Sequence, residues 1–171
     1  MGQSVMIRSL RPAATLGLAA GLLAIPVSGA SAQYNQTIRN DPARCAPGAG
    51  AAALLTITNI ADSRGTLRIQ SYRGTKDEWL AKGKWLSRIE VPARAGTMRV
   101  CMPLPGPGTY AIAVRHDRNG NGSTDLTEDG GGMSNNPSIN VFNLGKPSYT
   151  KTRFSVSNDP VVKSIQMRYM L

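Results

Sequence analysis

From Ala51 onward the chain reads in period two, and only an extended backbone turns such alternation into one apolar face and one polar face. "ALLTITNI" sets Leu55, Ile57 and Asn59 on one side, and "TLRIQSY" does the same with Leu67, Ile69 and Ser71. "TYAIAVRH" sets Tyr110, Ile112, Val114 and His116 opposite Ala111, Ala113 and Arg115. Near the end, "TKTRFSV" alternates Thr152, Phe154 and Val156 with Lys151, Arg153 and Ser155, while "KSIQMRYML" puts Ile165, Met167, Tyr169 and Leu171 on one face. The connecting "ADSRG", "LPGPG" and "SNDP" are turn sequences. This pattern predicts an all-β chain, an antiparallel β-sandwich of immunoglobulin-like or prealbumin-like type with about seven strands. A small barrel competes, because period two does not separate a closed sheet from two stacked ones. Only "TKDEWLAKGKWL" suggests a helix or a folded-over loop, with Trp79 and Trp85 either packed there or offering a platform to a sugar ring.

The chain starts differently. Arg8 and Arg11 flank the apolar "PAATLGLAAGLLAIPV", and "ASA" at Ala30 to Ala32 supplies small residues before Gln33, the layout of a cleaved secretory signal. The expected organisation is a signal peptide over 1–32, a leader over 33–50 and a β-sandwich over 51–171. The protein is then periplasmic or secreted, and no transmembrane segment is expected in the mature chain. Cys45 and Cys101 are the only cysteines, and an even count in an exported chain predicts one disulfide, which would pin the leader to the sheet and contribute roughly 4 kcal/mol. A zinc site is not expected, because neither the sole histidine nor the nearby carboxylates have the spacing.

Cleavage after Ala32 removes two arginines and no acid, leaving 18 basic against 10 acidic residues and a net charge of +8. Such a balance favours anionic surfaces. Nucleic acid is not an expected partner for an exported protein, so anionic envelope lipids or glycans are, unless the basic residues are simply solvated strand faces. Arg68, Arg99, Arg115, Lys151, Arg153, Lys163 and Arg168 would supply the charge.

One stretch departs from this basic background. "HDRNGNGSTDLTE" carries a local charge of −3 between Asp117 and Asp129, and from Asp117 it fits the calcium-loop pattern D-x-[DN]-x-[DN]-G-x₅-E. Asp117, Asn119 and Asn121 take the first three ligand positions, Gly122 the sharp turn, and Ser123 the backbone-carbonyl position. Asp125 takes the water-linked position and Glu128 the bidentate one. All are hard oxygen donors. The competing reading is a metal-free hairpin turn, since Asn-Gly twice over is a strong turn signal and a strand, not a helix, precedes the loop.

Catalytic chemistry finds less support. His116 stands alone and no serine lies in a nucleophile-elbow sequence, so its expected role is structural, bonded to Asp117 or a loop carbonyl. Two carboxylates on one hairpin do not form a glycosidase cleft. "DGGGMSNN" has no helix after it to make a phosphate cradle, and flexibility is its simpler meaning. No catalytic residue is assigned.

"PGPGTYAIAVRHDRNGNGSTDL", followed by "GGGMSNN" and "KPSYTKTRFSV", resembles the domain-of-unknown-function 2141 family of small exported bacterial proteins. The resemblance covers about Ala51 to Leu171, and its most specific parts are "PGTYAIAVRHDRNGNG" and the later "SNN". It implies a secreted β-sandwich without an assigned activity. Relative to the family, "LTEDGGGMSNN" is short, with Asp129 where a Glu is usual and Gly131 where an aromatic is common. The leading expectation is an exported, non-catalytic module that binds or is stabilised by calcium. A basic accessory protein docking on anionic envelope material and an uncharacterised hydrolase are the alternatives.

Overall fold

The computed structural model describes residues 1–2, 34–139, 143 and 145–169. Nearly all of the expected signal peptide, and Leu171, lie outside the described residues. The strands are β1 (Gln36–Thr37), β2 (Ala52–Ile60), β3 (Thr66–Arg73), β4 (Ser87–Pro92), β5 (Gly96–Pro103), β6 (Gly108–Asp117), β7 (Gly130–Met133), β8 (Phe154–Val156), β9 (Val161–Gln166) and β10 (Arg168–Tyr169). One sheet runs β1-β4-β3-β6-β7-β10, with β8 also on β6, and the other runs β5-β2-β9. Both sheets are open, so the architecture is a sandwich and not a barrel. Two pairings, β1 with β4 and β2 with β9, are parallel within an otherwise antiparallel design.

The predicted inward residues meet between the sheets. Leu55 and Ile57 of the small sheet and Leu67, Ile69, Ile112 and Ile165 are fully buried, each worth about 1.5–3 kcal/mol of burial. Asn59 departs from the expected alternation. It takes a left-handed φ of 60°, the β2–β5 register shifts between Ile57 and Ile60, and Ile60 is buried in its place. The bulge has a use: Asn59 Nδ2 donates to the Met167 carbonyl at 2.8 Å, and the Met167 N–H donates to the Thr58 carbonyl at 2.9 Å. Met167 is where the single run predicted from "KSIQMRYML" divides, β9 staying in the small sheet and β10 crossing to the large one. The run "TKTRFSV" is also shorter than expected. Its first half is a helical turn, α1 (Tyr149–Thr152), started by Ser148.

"GGGM" is not flexible but is strand β7, and two of its glycines, Gly130 and Gly132, are a packing requirement. A Cβ at Gly130 would lie 2.4 Å from the Tyr169 ring, and one at Gly132 2.8 Å from Ile165 Cγ2. The following "SNN" ties strands together. Ser134 Oγ accepts from the Ile112 N–H at 3.0 Å and donates to the Thr152 carbonyl at 2.6 Å. Asn135 donates to the Arg153 carbonyl at 2.9 Å, and Asn136 Oδ1 accepts from the Gln166 N–H at 2.7 Å.

The leader bridges the two sheets along one side. Its β1 extends the large sheet beyond β4, and a 3₁₀ turn over Pro42–Cys45, capped by Asp41, delivers Cys45 to Cys101 on β5 of the small sheet. The bond is formed, with Cα atoms 5.7 Å apart across a 56-residue separation. Residues 75–86 form a loop and no helix. Trp79 packs edge-on against Tyr72 and donates to the Pro147 carbonyl at 2.8 Å, while Trp85 lies under the Arg88 guanidinium at 4.2 Å. Both rings are engaged in packing, which does not favour a sugar platform. Among the described residues no helix is long and apolar enough to cross a membrane.

Candidate functional site

The β6–β7 connection runs from Arg118 to Asp129, far longer than the two-residue turn of a tight hairpin. His116 pairs with Gly130, so the loop leaves and re-enters the sheet at neighbouring strands. Its Asn-Gly steps work in a particular way. The glycines take the left-handed backbone, Gly120 at φ 71° and Gly122 at 77°, while the asparagines curl the chain with their side chains. Asn119 Oδ1 accepts from the Asn121 N–H at 3.1 Å, and Asn121 Oδ1 accepts from the Ser123 N–H at 2.8 Å. Two successive Asx turns therefore replace the expected hairpin turn, which needs positive φ at both central residues.

The sequence-predicted ligands fall into two groups. Asn119, Asn121, Asp125 and Glu128 converge: Asn119 Nδ2 donates to Asp125 Oδ2 at 2.9 Å and Glu128 Oε2 at 3.2 Å, and Asn121 Nδ2 donates to Asp125 Oδ2 at 2.7 Å. These two amides hold the Asp125 carboxyl below the usual carboxylate range. Asp117 sits deeper, 3% exposed, with Oδ2 accepting from the Gly122 N–H at 2.9 Å and from Arg115 Nη2 at 3.1 Å. Its Oδ1 is buried without a hydrogen-bond partner. Ser123 enters through its main chain, and its side chain is exposed. Among the described residues no three His, Cys, Asp or Glu side chains gather as a metal cluster on their own. A cation here would depend on amide and main-chain oxygens beside the carboxylates, which suits calcium and excludes zinc-type chemistry.

Sequence reasoning missed the residues that brace this loop. Asp129 is buried and fastens the loop's ends, Oδ1 accepting from the Arg118 N–H at 3.2 Å and Oδ2 from the Asp125 N–H at 3.1 Å. Arg115 reaches across to the Thr124 hydroxyl and the Gly122 carbonyl, both at 2.9 Å. Period two places Arg115 and Asp117 on the same strand face, so that pair was legible. The other anchor was not. Arg118 reaches Asp62 at 2.6 Å, and Arg64 shares that carboxylate at 3.0 Å; the two guanidiniums, Arg64 first, hold it well below the usual carboxylate range.

His116 is fully buried, with Nε2 donating to the Arg64 carbonyl and Nδ1 accepting from the Tyr169 hydroxyl, both at 2.8 Å. A carbonyl only accepts, which fixes this tautomer. The expected loop carbonyl is thus its partner, and Asp117 is not. The basic residues do not merge into one surface. Arg68, Arg115 and Arg168 lie on the large sheet, Arg99 on the small one, and Lys163 packs over the Phe154 ring at 4.9 Å and donates to Asn135.

The model of the family described as "Uncharacterized protein conserved in bacteria (DUF2141)" matches residues 55–164, which spans β2 to β9 and includes the whole β6–β7 loop. No curated protein and no solved structure matches the chain.

Proposed function

The chain belongs to this bacterial family, DUF2141, and from that premise we propose that it is an exported, non-catalytic β-sandwich module whose Asp117–Asp129 loop binds calcium. The observation that carries the reading is the buried Asp117 Oδ1, a carboxylate oxygen without a hydrogen-bond donor at the first ligand position of the loop. A buried charged oxygen left unsatisfied costs on the order of 1–3 kcal/mol or more, and a hard cation would recover it. Asp125 and Glu128 add negative charge, and the Asn119, Asn121 and Ser123 oxygens complete a hard donor set. Binding would require the Asn119 and Asn121 amides to release Asp125, which places the affinity in the weak extracellular range, roughly 10⁻⁴ to 10⁻³ M.

Export is supported by the signal-type segment and by the Cys45–Cys101 bond, a pairing that persists in oxidising compartments. The non-catalytic reading is supported by His116, whose ring is buried with both nitrogens occupied. Equilibrium dialysis of the mature chain against radioactive calcium should find one ion per chain, and Glu128→Gln should weaken retention about tenfold or more. Glu128 is partly exposed, its side chain accepts from Asn119, and its main-chain bonds to Arg118 and Asp125 do not involve the carboxylate, so this variant keeps its fold. No retained ion at millimolar calcium would defeat the proposal.

A further inference from the structure

The outer face of the large sheet carries a row of side chains at one level. Glu90 of β4 stands opposite Arg68 of β3, Arg68 opposite Arg115 of β6, Arg115 opposite Gly131 of β7, and Gly131 opposite Arg168 of β10. Like charges directly opposite destabilise a sheet, yet three arginines share this row, two of them adjacent. Glu90 pairs with Arg68 and Asp117 with Arg115, while Arg168 has no charged or hydrogen-bonding side-chain partner among the described residues. Arg115 Nε is also buried without an acceptor.

The gap in the row is Gly131. Its neighbours Gly130 and Gly132 are required by core packing, but Gly131 faces outward, and among the described residues a Cβ there would meet only Ile139 Cδ1, at 3.9 Å. No positive φ demands glycine at this position either. Its lack of a side chain leaves the floor of a cleft open between Arg115 and Arg168, beside Ala113 and Met133. The cleft has a volume of about 310 Å³, and its apolar walls come from Tyr72, Leu80 and Leu126. A cationic floor edge beside apolar walls is complementary to a molecule with an anionic head and an apolar body.

We propose that this cleft binds a small anionic amphiphile, its carboxylate or other acid group over Gly131 between Arg115 and Arg168 and its apolar part along Tyr72 and Leu80. The cleft adjoins the calcium loop, since Leu126 and the proposed ligand Asp125 both line it, with the Asp125 carboxylate held by the Asn119 and Asn121 amides. Guanidinium groups suit planar acid groups by bidentate donation, and the half-enclosed position strengthens the attraction relative to open water.

The probe is 8-anilinonaphthalene-1-sulfonate, an aromatic sulfonate that fluoresces when shielded from water, titrated into folded mature protein. Saturable binding at one site per chain is expected, displaced by octanoate and not by octanol at equal concentration. Arg168→Gln, at an exposed side chain, should weaken binding about tenfold. Gly131→Leu should abolish it by filling the floor, with the melting temperature unchanged. Glu128→Gln should leave it intact, which separates this site from the calcium reading. Equal displacement by octanol, or full binding in both Arg168→Gln and Gly131→Leu, would overturn the proposal. Retention of both variants on phosphatidylglycerol vesicles, with no dye binding by the parent protein, would also overturn it and assign the charge to a membrane surface.

Discussion

At the level of single residues, the decisive side chains take their partners from distant segments. His116 receives Tyr169 from strand β10 and the Arg64 carbonyl from the β2–β3 turn, so replacing it with leucine removes the acceptor of the Tyr169 hydroxyl and the donor to the Arg64 carbonyl at a fully buried position. His116→Leu should cost about 1–3 kcal/mol in denaturant unfolding, and wild-type stability in that variant would contradict the burial argument. Its inward position was legible from period two, but both partners depend on tertiary placement that no local pattern encodes. Asp62 behaves likewise. Arg64 and Arg118 depress its folded carboxyl below the unfolded value of about 3.9, so the folded state binds fewer protons as pH falls toward that value. The cluster therefore contributes stability above about pH 4 and loses it on acidification through the folded pKa. Melting Asp62→Asn beside the parent from pH 7 to pH 3 should show a lower starting stability and a flatter acid limb. Parallel curves would show that the Asp62 ion pairs contribute nothing measurable.

At the scale of elements, strands were readable wherever burial alternates, and unreadable where geometry between strands decides the residue. "GGGM" has no apolar period and reads as a flexible linker, yet Gly130 and Gly132 let β9 and β10 approach β7 more closely than any side chain would permit. The three glycines should therefore differ in tolerance. Gly132→Ala places a methyl 2.8 Å from Ile165 Cγ2 and 3.0 Å from the Gln166 carbonyl oxygen, and should destabilise by about 1–3 kcal/mol. Gly131→Ala should stay within about 0.5 kcal/mol of the parent. Chemical denaturation of the two variants decides the matter, and equal losses would contradict the assignment of their faces. Similarly, the division of the last run at Met167 depends on the Asn59 bulge more than a hundred residues earlier. The calcium-loop spacing was legible because ligand and turn residues alternate locally. The bracing of that loop by Asp62, through Arg118, required the β2–β3 turn to lie beside it.

At the scale of the whole molecule, two open sheets share one core and are held along one side by a leader that belongs to both. β1 adds to the large sheet and Cys45 bonds to the small one, so reducing the disulfide frees the leader and removes up to about 4 kcal/mol. Cys45→Ala with Cys101→Ala should lower the melting temperature by on the order of 10 °C without unfolding the chain at room temperature. An unchanged melt would mean that β1 pairing alone holds the leader. On this frame the β6–β7 loop is the one long excursion with a calcium-type ligand order, and its metal dependence is the most direct test. The mature protein should be melted in about 1 mM calcium and in excess chelator. With a dissociation constant of ~10⁻⁴ M, calcium adds roughly 1.4 kcal/mol and raises the midpoint by a few degrees, magnesium does less, and Glu128→Gln removes the response. Superimposable melts with calcium and with chelator would contradict the account and leave the loop as a metal-free connection closed by its own asparagines.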